Sequence, residues 1–329
     1  GHQYHRTGRW ALAAETFDVL VRQHAEHPLT PAACVWLIQY WSSGEAARRE
    51  QHDQAAAADR PQRALEYGKL LEAIDMSLAG GAAAGFPLAV AYRNQGNTRQ
   101  AERFYLGWQR SRSNDVWRAC AEGERWLATP VSPPPKSTLR CVPTDAKPRL
   151  DGKLDDPLWA GAQRCELHSL LADDADWPAM AMAAYDAEFL YLAVECRKAP
   201  DVDYAGNTEP RPRDPDLSSQ DRVDFYIDLD RDWATAYRLT IDHRGWAAED
   251  CWRDSTWDPQ WFVAAGGTDD SWTAEAAIPL TELTVSPPAP RSAWSIGIQR
   301  TVPGVGFQSW TLPAGVDVKP EGFGYLLFE

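Results

Sequence analysis

The sequence predicts a multidomain α plus all-β fold, in which a helical domain is followed by an antiparallel β-sandwich or jelly roll. Three observations lead to this prediction. The chain has 329 residues, more than one hydrophobic core usually holds. Its apolar residues follow a helical spacing in residues 1–128 and alternate with a period of two in residues 149–329. Residues 129–148, between these domains, are rich in proline and are predicted to be an extended linker.

The helical domain is rich in Ala, Leu, Arg, Glu and Gln and contains a recurring spacing. A tyrosine is followed by a glycine, a small residue and an aromatic residue, as in Tyr4, Gly8, Ala13, Phe17 and again in Tyr92, Gly96, Ala101, Tyr105. This order suits two packed antiparallel helices and resembles tetratricopeptide-type repeats, most closely in LAVAYRNQGNTRQAERFY at 88–105. Further helices are predicted at 31–41 and 61–78, with an Ala-rich joint at 46–60.

A helical-repeat array of this kind is an interaction or spacer element, with a protein partner held through its surface. The alternative is a helical domain that only packs against the neighbouring domain.

The second domain is predicted from short alternating segments bounded by Gly, Pro, Asn and Asp. Ten such strands with two faces each are typical of a β-sandwich or jelly roll. The predicted strands are 166–170, 179–184, 189–196, 222–229, 236–242, 246–252, 260–264, 272–278, 294–301 and 323–328.

The stretch QDRVDFYIDLD at 220–230 places two chemistries on two faces of one strand. Its apolar residues fall on one face, while Asp224, Tyr226, Asp228 and Asp230 fall on the other. A row of carboxylates on a strand adds like-charge repulsion, which predicts that solvent, a cation or a polar ligand faces it.

The charge distribution excludes some partners. Net charge is -14, and the acidic excess lies in the second domain. Such a surface repels nucleic acid phosphates and anionic lipids, and no apolar run reaches the length of a membrane span. Six cysteines at scattered positions show no zinc-type spacing, so we interpret them as buried free thiols, although an even number also permits disulfides.

Four stretches in order carry a resemblance to a known family. They are DGKLDDPLW at 151–159, YDAEFLYLAV at 185–194, the stretch at 220–230 and GYLLFE at 324–329. Residues 149–329 are thereby similar to the family 9 carbohydrate-binding modules of xylanases and other bacterial proteins. The resemblance implies a sandwich that holds the end of a glucan or xylan chain between two tryptophans, with calcium stabilising loops, in a secreted, periplasmic or cell-surface protein.

The polar part of that site carries over to Asp224, Arg238 and Gln299, and Tyr226 lies on the same predicted face. The aromatic clamp does not carry over, because its two positions fall on Ser218 and near Asp317. Trp252 and Trp257, in a loop-rich stretch, are predicted to be the replacement stacking rings, with Trp177 and Trp261 as further candidates. The opposing interpretation is an acidic sheet face neutralised by its own arginine pairs.

Metal, haem and catalysis are the other possibilities. Asp228, Asp230 and Asp232 resemble the alternate carboxylates of a calcium loop but lack its glycine and distal glutamate, and Asp173, Asp174 and Asp176 do so no better.

Haem would need Met180 or Met182 together with His168 or His243, and two core methionines explain the same residues. Paired acids such as Asp224 with Asp228 or Asp242 would serve glycoside hydrolysis in a cleft, but an open sheet face seldom raises the pKa of a general acid.

The sequence therefore predicts non-catalytic binding of a polysaccharide or oligosaccharide by the sandwich. The predicted ligand-binding residues are Asp224, Tyr226, Arg238, Gln299, Trp252 and Trp257. The alternative is an interaction or assembly protein whose sandwich no longer binds sugar. No nucleic acid partner, no membrane span and no resident cofactor is predicted, and a bound calcium is left open as an alternative.

Overall fold

A computed structural model of the protein describes residues 1–50, 54–110, 115–204, 212, 215–311 and 315–329, with the side chains of 54–58 left aside. The chain forms two compact units. The first, called the helical unit, comprises Gly1–Lys136, Asp228–Ala236 and Cys251–Trp257. The second, called the β unit, comprises Ser137–Ile227, Tyr237–Asp250 and Asp258–Glu329. In the described residues no helix is long and apolar enough to cross a membrane.

This division corrects the predicted domain boundaries at two places. Two segments of the predicted second domain, Asp228–Ala236 and Cys251–Trp257, belong to the helical unit. Both contain residues that the sequence assigned to the sandwich site.

The helical unit is built from helices joined by short turns. Its helices are α1 His2–Arg6, α2 Trp10–Gln23, α3 Thr30–Ser42, α4 Gly44–Arg49, α5 Gln54–Ile74, α6 Met76–Ala79, α7 Ala82–Asn94, α8 Thr98–Arg110 and α9 Val116–Ala128. The predicted Ala-rich joint at 46–60 is largely helical, because α4 and α5 occupy it on either side of 51–53, which lie outside the described residues.

Two of its turns match the predicted helix-turn-helix spacing. Gly8 and Gly96 follow α1 and α7 with φ of +70° and +75°, a conformation that favours glycine. Ala13 and Ala101, the small residues of the two units, are buried. The two helical hairpins are present, and their assignment to tetratricopeptide repeats stays a prediction.

The β unit contains twelve strands within the described residues. They are β1 Thr138–Pro143, β2 Cys165–Leu167, β3 Ala179–Tyr185, β4 Phe189–Arg197, β5 Arg222–Asp228, β6 Tyr237–Asp242, β7 Ala247–Cys251, β8 Phe262–Gly267, β9 Ser271–Pro279, β10 Ala293–Val302, β11 Gly306–Ser309 and β12 Gly324–Phe328. Short helices α10 Pro157–Gly161 and α11 Leu280–Leu283 and a 3-10 turn at Pro320–Gly322 lie between them. All ten predicted strands are found with shifted ends.

The strands follow the order β7-β6-β5-β10-β12-β1-β3-β4-β9-β8, with β11 beside β10 and β2 beside β3. Strand β1 connects the two halves of this order. Its residues 138–141 pair in parallel with β12, and its residues 142–143 pair in parallel with β3. The predicted linker at 129–148 is therefore corrected for Thr138–Pro143, which forms a central strand despite the surrounding prolines.

The stretch DGKLDDPLW is anchored by one buried acid. Glu275 on β9 accepts hydrogen bonds from the Gly152 amide at 3.0 Å and from Trp159 Nε1 at 2.8 Å. Gly152 has a φ of +78°, and a Cβ there would come within 2.3 Å of the Ala265 backbone. Burial raises the pKa of Glu275. The motif is thus explained by packing within the sheet.

All six cysteines are buried and free, which confirms their interpretation as thiols.

Candidate functional site

The predicted polar face is formed by two neighbouring strands of the β unit. Asp224 on β5 lies opposite Thr240 on β6, and Tyr226 lies opposite Arg238. Because strand side chains alternate, these four lie on one face and the buried apolar residues of β5 on the other. Asp228, predicted for the same row, belongs to the helical unit instead.

The centre of this face is an ion pair between Asp224 and Arg238. Arg238 Nε and Nη2 lie 3.0 and 2.9 Å from Asp224 Oδ1, and the Thr240 hydroxyl donates to the same oxygen at 2.6 Å. Asp224 is 1% exposed, whereas the Arg238 side chain is 35% exposed. A buried carboxylate therefore fixes the orientation of an accessible guanidinium, a preorganised hydrogen-bond donor.

Carboxylates of this face are paired with arginines. Arg238 Nη1 lies 3.8 Å from Asp250 Oδ2, in addition to its contact with Asp224. Arg244 donates to Asp242 Oδ2 through Nη2 at 2.5 Å and through Nε at 2.9 Å. The face is therefore a network of alternating charges, which fits both a polar ligand site and the self-neutralised surface that the sequence left open.

The aromatic ring of Tyr226 lies beside the central ion pair. The Tyr226 ring lies 5.8 Å from the Arg238 guanidinium and 5.6 Å from the Phe323 ring. Burial raises the pKa of the Tyr226 phenol, and the charge of Asp224 adds to the effect. The phenol therefore stays protonated at neutral pH and remains a hydrogen-bond donor.

Trp246 is a further aromatic residue that sequence reasoning did not select. The Asp242 amide donates to the Trp246 carbonyl at 2.9 Å across a hairpin whose Gly245 has a φ of +80°. This pairing puts Trp246 on the edge of the polar face, where the Arg244 guanidinium lies 3.9 Å from its ring centroid. The signal in the sequence was the Gly245 turn after Asp242, which sets the hairpin register.

Gln299, on β10, has both ends of its amide engaged. Its Nε2 donates to the Gly315 carbonyl at 2.8 Å, and its Oε1 accepts from the Gly315 amide at 2.9 Å. The side chain is 4% exposed. These bonds assign Gln299 to holding the segment at Gly315, so its predicted role toward a ligand stays a prediction.

Trp252 lies in the helical unit, among aromatic side chains. Its ring is stacked on Trp36 at 5.3 Å and meets the edges of His5 at 4.6 Å and Trp10 at 5.6 Å. The His5 ring also contacts the Trp252 carbonyl at 2.8 Å. This ring is used in packing, and it is a poor candidate for the predicted stacking platform.

The other predicted rings and clamp positions have separate surroundings. Trp257 is 9% exposed in the helical unit, and Trp177 is 3% exposed against the Arg300 guanidinium. Trp261 in the β unit is partly exposed and donates to Glu249 Oε2 at 3.1 Å. Ser218, at one of the two clamp positions, is an exposed turn residue.

Four carboxylates gather in the helical unit. Oxygens of Glu45, Asp228 and Asp230 lie within 4.8 Å of one another, and Asp232 follows in the same loop. Glu45 accepts from the Leu229 amide at 2.8 Å, which ties helix α4 to this loop. Sequence reasoning found the three aspartates but not Glu45, which stands about 180 residues earlier and carries no local motif.

Burial dominates the electrostatics of these acids. It raises the pKa of Asp228 to about 8 and raises those of Glu45, Asp230 and Asp232. Repulsion from neighbouring acids adds to the shifts of Asp228, Glu45 and Asp232. Carboxylate oxygens are the ligands that calcium prefers, so the donor set fits that ion. Calcium bound there would neutralise charge and hold the loop on the helices.

The residues of the haem alternative are also placed. Met182 is 1% exposed and belongs to a hydrophobic cluster with Trp159 and Tyr191. Met180 and His168 line a groove of about 1100 Å³ on the β unit. Met182 is thus accounted for by core packing.

Comparison with known proteins finds a family match in the second half of the chain. Residues 150–304 match the sequence model of the family described as carbohydrate family 9 binding domain-like. This match supports the family 9-like domain that the sequence predicts, within those limits. No curated protein matched the sequence.

Solved structures similar to the chain include two of a family 9 carbohydrate-binding module from Caldicellulosiruptor kristjanssonii. The complex with cellotriose is 15% identical, with a TM-score of 0.43, and the match covers 59% of this chain and 94% of that one. The complex with glucose is 14% identical, with a TM-score of 0.42, and covers 59% and 96%.

Proposed function

We propose that the β unit binds carbohydrate without catalysing a reaction, through the polar face centred on Asp224 and Arg238. The observation that supports this most is the accessible guanidinium of Arg238, which a buried carboxylate holds in place. Sugar hydroxyls both donate and accept hydrogen bonds, and the face offers guanidinium and phenol donors beside carboxylate acceptors. The match of residues 150–304 to a binding-domain family supports the same function.

The aromatic contribution in this proposal comes from Tyr226 and Trp246. Both lie on the face of the ion pair, and ring faces pack well on the C–H surfaces of a pyranose. The Arg244 guanidinium, 3.9 Å from the Trp246 ring centroid, is a further donor beside that ring. Trp252 and Trp257 are left out, because the helical unit uses them.

The ligand class is an oligosaccharide or polysaccharide of neutral sugars. The similar structures were solved with cellotriose and glucose, so short glucans come first for testing, followed by xylan and mannan. A location outside the cytoplasm, where such polymers are met, and a protein partner for the helical unit are parts of the same proposal.

Isothermal titration with cellotriose and affinity electrophoresis in glucan, xylan and mannan gels test this function. Arg238→Ala removes a charged donor, so binding should weaken about 10- to 100-fold. Arg149→Ala is the matched control, because that side chain is 85% exposed and its carboxylate contact is with Asp151. Retention on none of the polymers, or equal binding by Arg238→Ala and the native chain, refutes the proposal.

A second candidate is an assembly protein whose sandwich has no sugar ligand. The pairing of Asp242 with Arg244 and of Asp250 with Arg238 favours it, because those charges already have partners within the protein. The same electrophoresis separates the two functions, since this candidate predicts free migration in every gel.

A further inference from the structure

The helical unit carries a groove that the carbohydrate site does not involve. It has a volume of about 990 Å³ and is formed by side chains of α2, α3, α4 and α5 together with Glu50. Four arginines and four carboxylates line it, together with Tyr40, Tyr67 and Trp41. All of the residues that line it belong to one compact unit, so its shape is a property of that unit alone.

Three N–H groups in the wall of this groove have no acceptor among the described residues. They are Trp41 Nε1, Arg49 Nη1 and Arg60 Nε. Trp41 is 8% exposed and Arg60 is 6% exposed, so bulk water does not replace the missing partners. A buried donor without an acceptor destabilises a fold, and such groups in native proteins call for an explanation.

Arg60 is also a poorly compensated charge. Its nearest carboxylate oxygen, on Glu50, lies 3.8 Å away, and its Nη2 donates to the Tyr40 carbonyl. The guanidinium lies 4.8 Å from the Tyr40 ring and 5.2 Å from the Trp41 ring. Burial lowers its pKa, which is the electrostatic sign of a cation short of negative partners. An anion in the groove would supply what Arg60 lacks.

We propose that this groove binds a small organic oxyanion, a carboxylate or phosphate ester on a body of sugar or amino-acid size. The unsatisfied groups are all donors. Arg49 is already paired with Asp254 at 2.6 Å, so Arg60 is the cation that lacks a close carboxylate, and the complementary ligand is an acceptor with negative charge. A lone inorganic ion is much smaller than about 990 Å³, whereas the Tyr40, Trp41 and Tyr67 rings offer flat surfaces for an organic body.

Titration calorimetry on the full chain at low salt tests this site with glucuronate, citrate and glucose 6-phosphate, and with glucose as the neutral comparison. The carboxylates and the phosphate ester distinguish the two sources of the oxyanion. Binding of at least one anion, and none of glucose to this site, is expected. Trp41→Phe keeps the ring and removes one donor, and Arg60→Lys keeps the charge and removes Nε, so each should weaken binding about tenfold or more.

Arg63→Gln is the matched control. Arg63 lines the same groove, 4.5 Å from the Trp41 ring, but it is exposed and has no buried N–H among the unsatisfied groups. We expect less than a threefold effect from it. No binding of any anion at millimolar concentration overturns the proposal, as does an equal loss in Arg63→Gln and Trp41→Phe.

Two further measurements keep the result interpretable. Circular dichroism and the unfolding midpoint show whether each variant is folded. If Arg60→Lys does not fold, the Trp41→Phe variant alone tests the site. Arg238→Ala, in the β unit, should leave anion binding unchanged. The proposed sugar site and the proposed anion site are therefore tested independently.

Discussion

Arg300 provides the sharpest test of how the β unit is held together. It is fully buried on β10 and donates to both oxygens of Asp221, from Nε at 2.9 Å and from Nη2 at 2.6 Å. Its remaining N–H groups donate to the carbonyls of Trp177 at 2.8 Å and Arg197 at 2.7 Å and to Gln308 Oε1 at 3.3 Å. One side chain therefore links four separate segments of the unit.

Arg300→Met keeps most of the volume and removes the charge. Asp221 is then left as a buried carboxylate with two remaining donors, Trp272 Nε1 at 2.9 Å and the Tyr204 hydroxyl at 2.8 Å. Breaking a buried ion pair by removing one partner costs about 3–5 kcal/mol. With a urea m-value of about 2 kcal/mol per M, the unfolding midpoint should fall by roughly 2 M.

Urea unfolding followed by far-UV circular dichroism measures this change. The double variant Arg300→Met, Asp221→Leu removes the stranded carboxylate and should recover part of the loss. Lys147→Met is the control, because its ion pair with Glu188 is largely exposed and should leave the midpoint unmoved. If Arg300→Met matches Lys147→Met, the ion pair does not stabilise the unit as argued.

Three more predictions concern the helical unit. Burial raises the pKa of Asp228 from 3.8 to about 8, so between these pH values the folded state binds a proton that the unfolded state has released. The free energy of unfolding, measured in EDTA, should therefore fall as pH rises from 4 through 8. Asp228→Asn should reduce this pH dependence. Calcium at millimolar concentration should raise the melting temperature at pH 8, and Glu45→Gln should reduce that rise, whereas an equal rise in both proteins would contradict a site at these acids. Trp252→Ala should cost about 3 kcal/mol of stability and leave sugar affinity unchanged, since its ring packs on Trp36; a loss of affinity with unchanged stability would restore its predicted role as a stacking platform.

Sequence alone predicted much of the local structure of both units. The spacing of apolar residues that distinguishes helix from strand depends on neighbouring residues along the chain. The ten predicted strands and the helical hairpins at Gly8 and Gly96 could therefore be predicted from the sequence. The alternation of β5 likewise placed Asp224 and Tyr226 on one face, and Arg238 followed on β6. These features need no knowledge of distant contacts.

Tertiary structure decided the partners of those residues. Strand β1 lies in a proline-rich segment and is stabilised by pairing with β12 and β3, which the local sequence does not specify. The carboxylate of Glu45 joins Asp228 and Asp230 across a long stretch of chain, and Trp252 packs on Trp36 of the helical unit.

What the sequence determined, then, is which residues form strands and helices and which face each side chain takes, because backbone periodicity is local. The tertiary structure decided which of those faces is exposed to solvent, which is buried in the core and which contacts a segment remote in sequence. Arg300 shows the difference. Its place in the alternating pattern of β10 can be read from the sequence, but its burial depends on an ion pair with Asp221, a residue 79 positions away. Hydrogen-bond and charge partners of that kind are set by chain folding, and they separate a structural arginine such as Arg300 from an accessible one such as Arg238.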